Sequence, residues 1–298
     1  MKFVADIDIP FLKGVLEPYG EVVYKKGLDI CRDDIVDADA LLIRTRTRCD
    51  EELLEGTKVS IITTATIGTD HIDLDYCSSH GIEVANASGC NAGGVMQYVF
   101  SALYGIAARK GIKIDGATIG IVGVGNVGRR IEYMADYLGF KVLRCDPPRA
   151  QKEGPEGFCS LEQLLAESDI VTLHVPLDEN TRGMANADFF TLMKPGAIFI
   201  NAARGEVVNE EALLEAAPKM GAIVIDTWNH EPSVNEELID VVDIATPHIA
   251  GYSYQGKVNG TSMAVQAIAK HFDIRELEDF TPEDDIPEHQ PLHLDLKG

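Results

Sequence analysis

The run Thr118-Ile-Gly-Ile-Val-Gly-Val-Gly-Asn-Val-Gly128 constrains this chain more than any other. Its apolar half, Thr118 to Val122, reads as a buried strand, the glycines that follow open a tight turn, and Arg129 to Leu138 carries a helical pattern. A strand, a Gly-x-Gly-x-x-Gly turn and a helix in succession bring a helix N-terminus and unpaired backbone amides to one point. Gly123 permits the turn, Gly125 lets the amides approach an anion, and Gly128 lets the helix close on the strand, so a diphosphate is expected here. Turns of this kind also occur as plain connections, and the neighbouring sequence decides between the two.

Lys141 to Cys145 reads as the next strand and ends at Asp146, roughly 20 residues beyond the glycines. A carboxylate at that place accepts hydrogen bonds from both ribose hydroxyls and repels a 2′-phosphate, which makes NAD the expected cofactor rather than NADP. Arg149 lies close enough to weaken that preference, and Pro147 and Pro148 are placed to turn it away from the ribose. The chain as a whole is acidic: 26 Lys+Arg against 48 Asp+Glu give the 298 residues a formal charge of -22. This argues against nucleic acid as a partner and requires any anionic substrate to be met by a focused basic site. Met1-Lys-Phe-Val-Ala-Asp turns acidic too soon for a signal peptide, and no apolar run approaches about 18 residues, so a soluble cytoplasmic protein without membrane contact is expected. Cys31, Cys49, Cys77, Cys90, Cys145 and Cys159 form no Cys-x-x-Cys pair and no His/Cys ligand spacing; reduced thiols and no metal are expected. Cys90 adjoins a candidate site stretch, but the sequence pairs no base with it in an evident way, and it reads as an ordinary buried thiol.

Two α/β units follow from the alternation of short apolar runs with helix-length segments. In the first, strands are expected at Phe3 to Ile7, Val22 to Tyr24, Leu41 to Ile43, Val59 to Thr64 and Ile82 to Val84. Asn91 to Lys110, with Val95, Val99, Leu103 and Ile106 at helical spacing and Gly111 at its end, reads as a long helix joining two domains. In the second, strands are expected at Thr118 to Val122, Lys141 to Cys145, Ile170 to Val175, Ala197 to Ala202, Ile223 to Asp226 and Ile244 to Thr246. Strands separated by helices imply parallel pairing with right-handed crossovers, a doubly wound Rossmann sheet whose ligands lie at the strand carboxyl ends. The expected division is residues 1–91 for the first part of a smaller, discontinuous, flavodoxin-like α/β substrate domain, 92–250 for the cofactor domain, and 251–275 for a return helix that completes the substrate domain. Residues 276–298 are acidic and proline-interrupted and read as a tail or linker, with Leu292 to Leu296 alternating like the start of a strand.

Polar residues gather just after the strands of the cofactor domain. Asn201-Ala-Ala-Arg204-Gly, Asp226-Thr-Trp-Asn-His-Glu231-Pro and Pro247-His248-Ile-Ala-Gly251 supply together what hydride transfer from a 2-hydroxy acid requires. Arg204 can grip a carboxylate through two parallel hydrogen bonds and polarise the C2 oxygen. His248 can accept the C2 hydroxyl proton as hydride leaves for a nicotinamide, and Glu231 can hold the other imidazole nitrogen and favour the protonated form that the reverse step uses.

The order Gly-x-Gly-x-x-Gly, Asp146, Arg204, Glu231, His248 resembles the D-isomer-specific 2-hydroxyacid dehydrogenase family over about residues 1 to 275. More specific runs, Ala65-Thr-Ile-Gly-Thr-Asp-His71-Ile-Asp, Gly89-Cys-Asn-Ala92, Cys145-Asp-Pro-Pro-Arg149 and His248-Ile-Ala-Gly-Tyr252-Ser-x-x-Gly-Lys257, resemble members that act on a phosphorylated four-carbon acid in a step toward pyridoxal phosphate. The resemblance implies cofactor contacts at Asn126, Val127, Asp146, Val175, Ala202, Ala203, Arg204, Asp226 and Gly251, and substrate contacts at Thr45, Thr66 and Tyr252. Position 175 departs from the threonine of those members, which leaves a backbone or packing contact there. They also continue into a C-terminal dimerisation domain near whose start this chain stops, so an abbreviated or truncated member is expected and homodimerisation by that domain is not carried over. For the phosphate, Arg44, Arg46 and Arg48 fall on one face if the strand continues past Ile43, and Lys257 is a further cation. Arg44 and Arg46 are the stronger expectations; the bland alternative is a solvated strand end paired with Asp50, Glu51 and Glu52. Two rivals share the pattern: a related dehydrogenase acting on another acid such as 3-phosphoglycerate, and an NAD-sensing binding protein of the corepressor type. The intact Arg204, Glu231 and His248 set favours an enzyme.

Overall fold

The computed structural model describes residues 1–283, and the strand-like Leu292 to Leu296 lies outside them. The chain divides into two compact units, one of residues 1–88 together with those from 257 onward, the other of residues 89–256.

The first unit holds β1 (Lys2–Asp6), β2 (Glu21–Lys25), β3 (Ala40–Ile43), β4 (Ile61–Thr64) and β5 (Glu83–Asn86). They form one parallel sheet in the order β2-β1-β3-β4-β5, the flavodoxin-like arrangement. The residues of β3 and β4 are buried throughout, as strands covered on both faces must be. One face packs Val4, Leu41, Ile43 and Ile62 against Ile35, Leu54 and Ile82. The other packs Phe3, Ala5, Leu42 and Ile61 against Val265, Ile268 and Ala269. Those three come from the helix Tyr254–His271, so the C-terminal return completes this core.

The second unit holds β6 (Thr118–Val122), β7 (Lys141–Cys145), β8 (Ile170–Leu173), β9 (Ile198–Asn201), β10 (Ala222–Ile225) and β11 (Ile244–Ala245). All pair in parallel, in the order β11-β10-β9-β8-β6-β7. The chain leaves β6 toward β7 on one side and returns to β8 on the other, and such a reversal marks where doubly wound sheets bind ligands, at the carboxyl ends of the strands. Cys159 N donates to Arg144 O at 2.9 Å, a single ladder-like bond outside β7 in the place of a further edge strand. Alternation along the strands feeds two cores: Ile119 and Ile121 pack with Val99, Leu103, Ile106 and Ile131 on one face, and Val122, Leu173 and Phe199 pack with Leu164, Phe189, Leu213 and Trp228 on the other.

Several boundaries differ from the sequence expectation for local reasons. β8 stops at Leu173 instead of Val175: His174 N still donates to Val122 O at 2.7 Å, but Pro176 has no N–H to continue the ladder. The helix after the glycines begins at Asn126 and not at Arg129, so the turn runs straight into the helix. The helix Ala92–Lys110 closes with Gly111 at φ 67 and lies wholly within the second unit.

Candidate active site

The glycine turn is built as the motif requires. Gly123 has φ 86, and a Cβ there would stand 2.7 Å from His174 O and 2.8 Å from Val175 Cγ1, so Val175 makes a packing contact with this turn. A Cβ on Gly128 would lie 2.1 Å from Gly123 O, which shows how closely the helix approaches the strand end. At Gly125 a Cβ would meet nothing within 4 Å. The middle glycine therefore leaves open space at the N-terminus of the helix Asn126–Tyr137, where the first-turn amides and the helix dipole favour an anion. Asn126 begins that helix with its side chain against Gly89, and Val127 packs into the core beneath.

Asp146 follows β7 and caps the helix Pro147–Glu153. Its Oδ2 accepts from Val124 N at 2.8 Å and its Oδ1 from Arg149 N at 3.0 Å, which fixes the carboxylate against the glycine turn while each oxygen keeps a further acceptor site. Arg149 is engaged: Nη1 donates to Val124 O at 2.8 Å, and Nε and Nη2 donate to the two oxygens of Glu153 at 2.9 and 2.6 Å. The two prolines do not turn this side chain away; the carboxylate four residues on holds it.

The three loops after β9, β10 and β11 are tied into one assembly. Asn201, fully buried, accepts from Ala203 N at 3.1 Å and donates to Arg204 O at 3.0 Å, shaping the loop that carries Ala202, Ala203 and Arg204. Arg204 Nη1 donates to Ala203 O at 2.8 Å. A Cβ on Gly205 would come within 2.0 Å of the Trp228 carbonyl carbon, so only glycine lets the Arg204 loop lie this close to the loop that carries Glu231. Glu231 then joins the two remaining loops. Its Oε1 accepts from Trp228 N at 2.8 Å, and its Oε2 meets His248 Nδ1 at 2.8 Å. His248 is about half exposed, with 46% of its side chain accessible, so the imidazole is anchored at one nitrogen and open elsewhere.

Asp226 has a part in the site that the sequence reading did not include. That reading makes it a cofactor contact; its buried carboxylate also accepts from Thr246 Oγ1 at 2.6 Å, Ile249 N at 2.8 Å and Ala250 N at 2.9 Å. Its own carbonyl accepts from His248 N at 2.7 Å. These bonds account for its burial by holding the His248 loop in place. Thr246, Trp228 and Tyr98 extend the network: Tyr98 Oη bonds Thr246 Oγ1 at 2.6 Å, and Trp228 Nε1 donates to Thr246 O at 2.8 Å. Sequence reading missed all three, although the lone tryptophan between Asp226 and Glu231 was a visible signal. Gly251 is packed by Asn91, whose Nδ2 would stand 2.0 Å from a Cβ there.

Residues 101–250 match the family described as D-isomer specific 2-hydroxyacid dehydrogenase, NAD binding domain. An erythronate-4-phosphate dehydrogenase of Bacteroides thetaiotaomicron is 46% identical over 289 residues, which are 95% of this chain and 83% of that protein. The chain belongs to the D-isomer-specific 2-hydroxyacid dehydrogenase family. Solved structures agree: the NAD+-bound 3-phosphoglycerate dehydrogenase of Entamoeba histolytica is 28% identical with a TM-score of 0.77, covering 94% of this chain and 97% of that one. The D-lactate dehydrogenase from Aquifex aeolicus, complexed with NAD and lactic acid, is 25% identical with a TM-score of 0.75, covering 94% of this chain and 97% of that one.

As a 2-hydroxyacid dehydrogenase the protein is an NAD-dependent oxidoreductase, and its residues fit that cofactor. The open face at Gly125 admits a diphosphate, and Asp146 retains acceptor capacity beside the same turn. Burial pushes the Cys90 thiol up to about 11, which favours the thiol over the thiolate near neutral pH. The six cysteines form no disulfide, no cluster of possible metal ligands exists among the described residues, and no helix there is long and apolar enough to cross a membrane.

The expected phosphate residues lie in the first unit, and there the strand argument fails. β3 ends at Ile43 and a turn follows at Thr45 and Arg46, so Arg44, Arg46 and Arg48 do not share a strand face. Just beyond the turn the Thr47 side chain is buried and donates to Gly27 O at 2.9 Å. Arg48 pairs with Asp50 at 2.7 Å, as the bland alternative has it. Arg44 is half-buried with Nη1 3.3 Å from Asp8 O, and Thr45 and Arg46 are exposed. Thr66 Oγ1 bonds Thr64 Oγ1 at 2.7 Å in the same unit. Tyr252 is 67% exposed at the end of the His248 loop, and Lys257 is half-buried on the helix Tyr254–His271.

Proposed function

We propose that this enzyme oxidises 4-phospho-D-erythronate at C2 to (R)-3-hydroxy-2-oxo-4-phosphooxybutanoate, in pyridoxal 5′-phosphate (vitamin B6) biosynthesis. The observation that carries the reading is the Glu231–His248 pair at 2.8 Å in a chain 46% identical to an erythronate-4-phosphate dehydrogenase. NAD, when bound, accepts the hydride that leaves C2. Gly123, Gly125, Asn126, Val127 and Gly128 receive its diphosphate and Asp146 its ribose, with Val175, Ala202, Ala203 and Gly251 along the same strand ends.

Arg204 binds the C1 carboxylate and polarises the C2 oxygen. His248 takes the C2 hydroxyl proton on Nε2, because Glu231 holds Nδ1; the C2–H bond breaks as C2=O forms, and the imidazolium so made is stabilised by the Glu231 carboxylate. In the reverse direction the same nitrogen returns the proton to the ketone oxygen. Arg44 and Arg46 take the C4 phosphate, supported by Thr45, Thr66, Tyr252 and Lys257, and this cationic set in an acidic protein is what favours a phosphorylated acid. The reduced thiols and the use of NAD support action in the cytoplasm.

A substrate panel with NAD reduction followed at 340 nm tests the assignment. The phosphorylated four-carbon acid is expected to exceed unphosphorylated erythronate by a large factor in kcat/KM, and Arg44→Ala or Arg46→Ala to remove several kcal/mol of that discrimination, on the order of a truncated charge pair. Equal use of both acids would remove the phosphate assignment. A preference for 3-phosphoglycerate would move the protein to the related dehydrogenase activity.

A further inference from the structure

The ribose end of the cofactor site contains a cation that the rest of the site cancels. Arg149 lies at the glycine turn beside Asp146, stacked with its guanidinium 5.2 Å from the Phe158 ring centroid and hydrogen-bonded to Val124 O at 2.8 Å. A guanidinium here is what a 2′-phosphate would need. Its two remaining edges are both occupied by one carboxylate: Nε on Glu153 Oε1 at 2.9 Å and Nη2 on Glu153 Oε2 at 2.6 Å. The same carboxylate reaches Arg129, on the helix that follows the glycines, at 3.5 Å. Glu153 therefore occupies both remaining edges of Arg149, is shared with Arg129, and leaves Asp146 as the carboxylate nearest the ribose.

The geometry points to Glu153 as a cofactor-specificity residue that holds Arg149 in a fork and so excludes a 2′-phosphate from a site already furnished with the cation to bind it. This rests on the NAD reading and extends it to a residue that touches the cofactor only through Arg149. The pair is disposed to last in the folded state. The spacing of four residues places both side chains on one face of the helix Pro147–Glu153, and the mutual hydrogen bonds hold the Glu153 carboxylate below and the Arg149 guanidinium above their usual ranges. Release of the fork would not release Arg149 from its place, because the bond to Val124 O and the Phe158 ring remain. The two freed N–H groups would then be presented where a 2′-phosphate arrives. It also follows that Asp146→Ala alone is a weak route to NADP, since Arg149 would stay paired with Glu153.

The test is binding rather than turnover: NADH and NADPH are titrated by their nicotinamide fluorescence into the parent protein and into Glu153→Gln, Glu153→Ala and Glu153→Gln/Arg149→Ala, each checked for an unchanged circular dichroism spectrum. The ratio Kd(NADPH)/Kd(NADH) is expected to fall about tenfold in both single variants, the scale of one charge-assisted phosphate contact, and to return toward the parent value in the double variant. Adenosine 2′-monophosphate should displace NADH from Glu153→Gln at lower concentration than from the parent. An unchanged ratio in the single variants overturns the proposal, as does a lowered ratio that survives loss of Arg149. Failure of the parent to bind NADH at all would overturn the NAD reading itself, a result separable from the first two.

Discussion

His248 sits at φ 54, a left-handed backbone angle that a histidine seldom adopts, and its neighbour on the other loop, His230, sits at φ 58. Such an angle persists only where surrounding bonds insist on it. Here Asp226 supplies them, through its carbonyl to His248 N and its carboxylate to Ile249 N and Ala250 N, so the His248 imidazole proposed for proton transfer is aimed by a buried carboxylate on another loop. Loss of the imidazole by His248→Asn should lower kcat by roughly 10² to 10⁴ with the fold intact, the usual value of a positioned acid/base, whereas Arg204→Ala should raise KM and lower kcat together. Steady-state kinetics separate the two; near-normal turnover in His248→Asn would exclude it from the proton step. A second histidine carries a stability consequence. Burial pushes the His174 imidazole down to about 3, while the unfolded chain takes up its proton near about 6.5. Between those values the unfolded state binds more protons, so stability falls as pH drops from about 6.5 toward 3. His174 keeps some surface contact, so the expected loss between pH 7 and 5 is about 1 kcal/mol rather than the full shift. His174→Asn should remove that part of the slope in denaturant unfolding, and equal slopes in both proteins would assign it to other groups.

The glycine turn makes a sharper prediction because its three glycines are present for different reasons. A Cβ on Gly128 would press into Gly123 O at 2.1 Å, whereas a Cβ on Gly125 would meet nothing within 4 Å. Gly128→Ala should therefore lower the melting temperature by displacing the helix, and Gly125→Ala should melt like the parent yet bind NADH about tenfold or more weakly, since its methyl occupies diphosphate space. Equal effects of the two on stability would contradict the turn as described. The same contrast shows what the sequence could and could not reveal. Strand positions and parallel pairing were legible because strands covered on both faces read as short apolar runs, and helix-length segments between them require crossovers; the order Asp146, Arg204, Glu231, His248 was legible because each follows such a run. The commitment of Asp226 to the His248 loop was not legible, because a buried aspartate declares its partners only when the 246–250 backbone is in place. Nor was the end of β3 legible. The Arg-Thr-Arg-Thr-Arg alternation continues a strand pattern, whereas the backbone turns at Thr45 and Arg46 and buries Thr47 on Gly27 O, a partner distant in sequence. Arg149 was suspected from its nearness to Asp146, but the fork on Glu153 depends on a helix turn that two prolines made hard to foresee.

At the scale of the whole chain the two units differ in how they depend on sequence continuity. Residues 89–256 are contiguous and contain a six-stranded sheet with a hydrophobic core on each face, and every residue assigned to the cofactor and to proton transfer lies within them. The other unit is interrupted: Val265, Ile268, Ile274 and Leu277 return from beyond residue 256 to pack on Phe3, Ala5, Leu42 and Ile61. Burying four such side chains is worth roughly 6–12 kcal/mol in transfer free energy at about 1.5–3 kcal/mol each. That is comparable with the whole stability of an ordinary domain, about 5–15 kcal/mol. The two pieces should then behave oppositely when produced alone. A fragment of residues 89–256 is expected to unfold cooperatively and to bind NADH within about tenfold of the full chain, since no assigned cofactor contact is lost. A fragment of residues 1–88 is expected to lack a cooperative transition, and to regain one when residues 254–283 are joined to it through a flexible linker. Differential scanning calorimetry of the three fragments and NADH titration of the first decide the matter: a cooperative transition in residues 1–88 alone would show that the returning helix covers a core already stable without it.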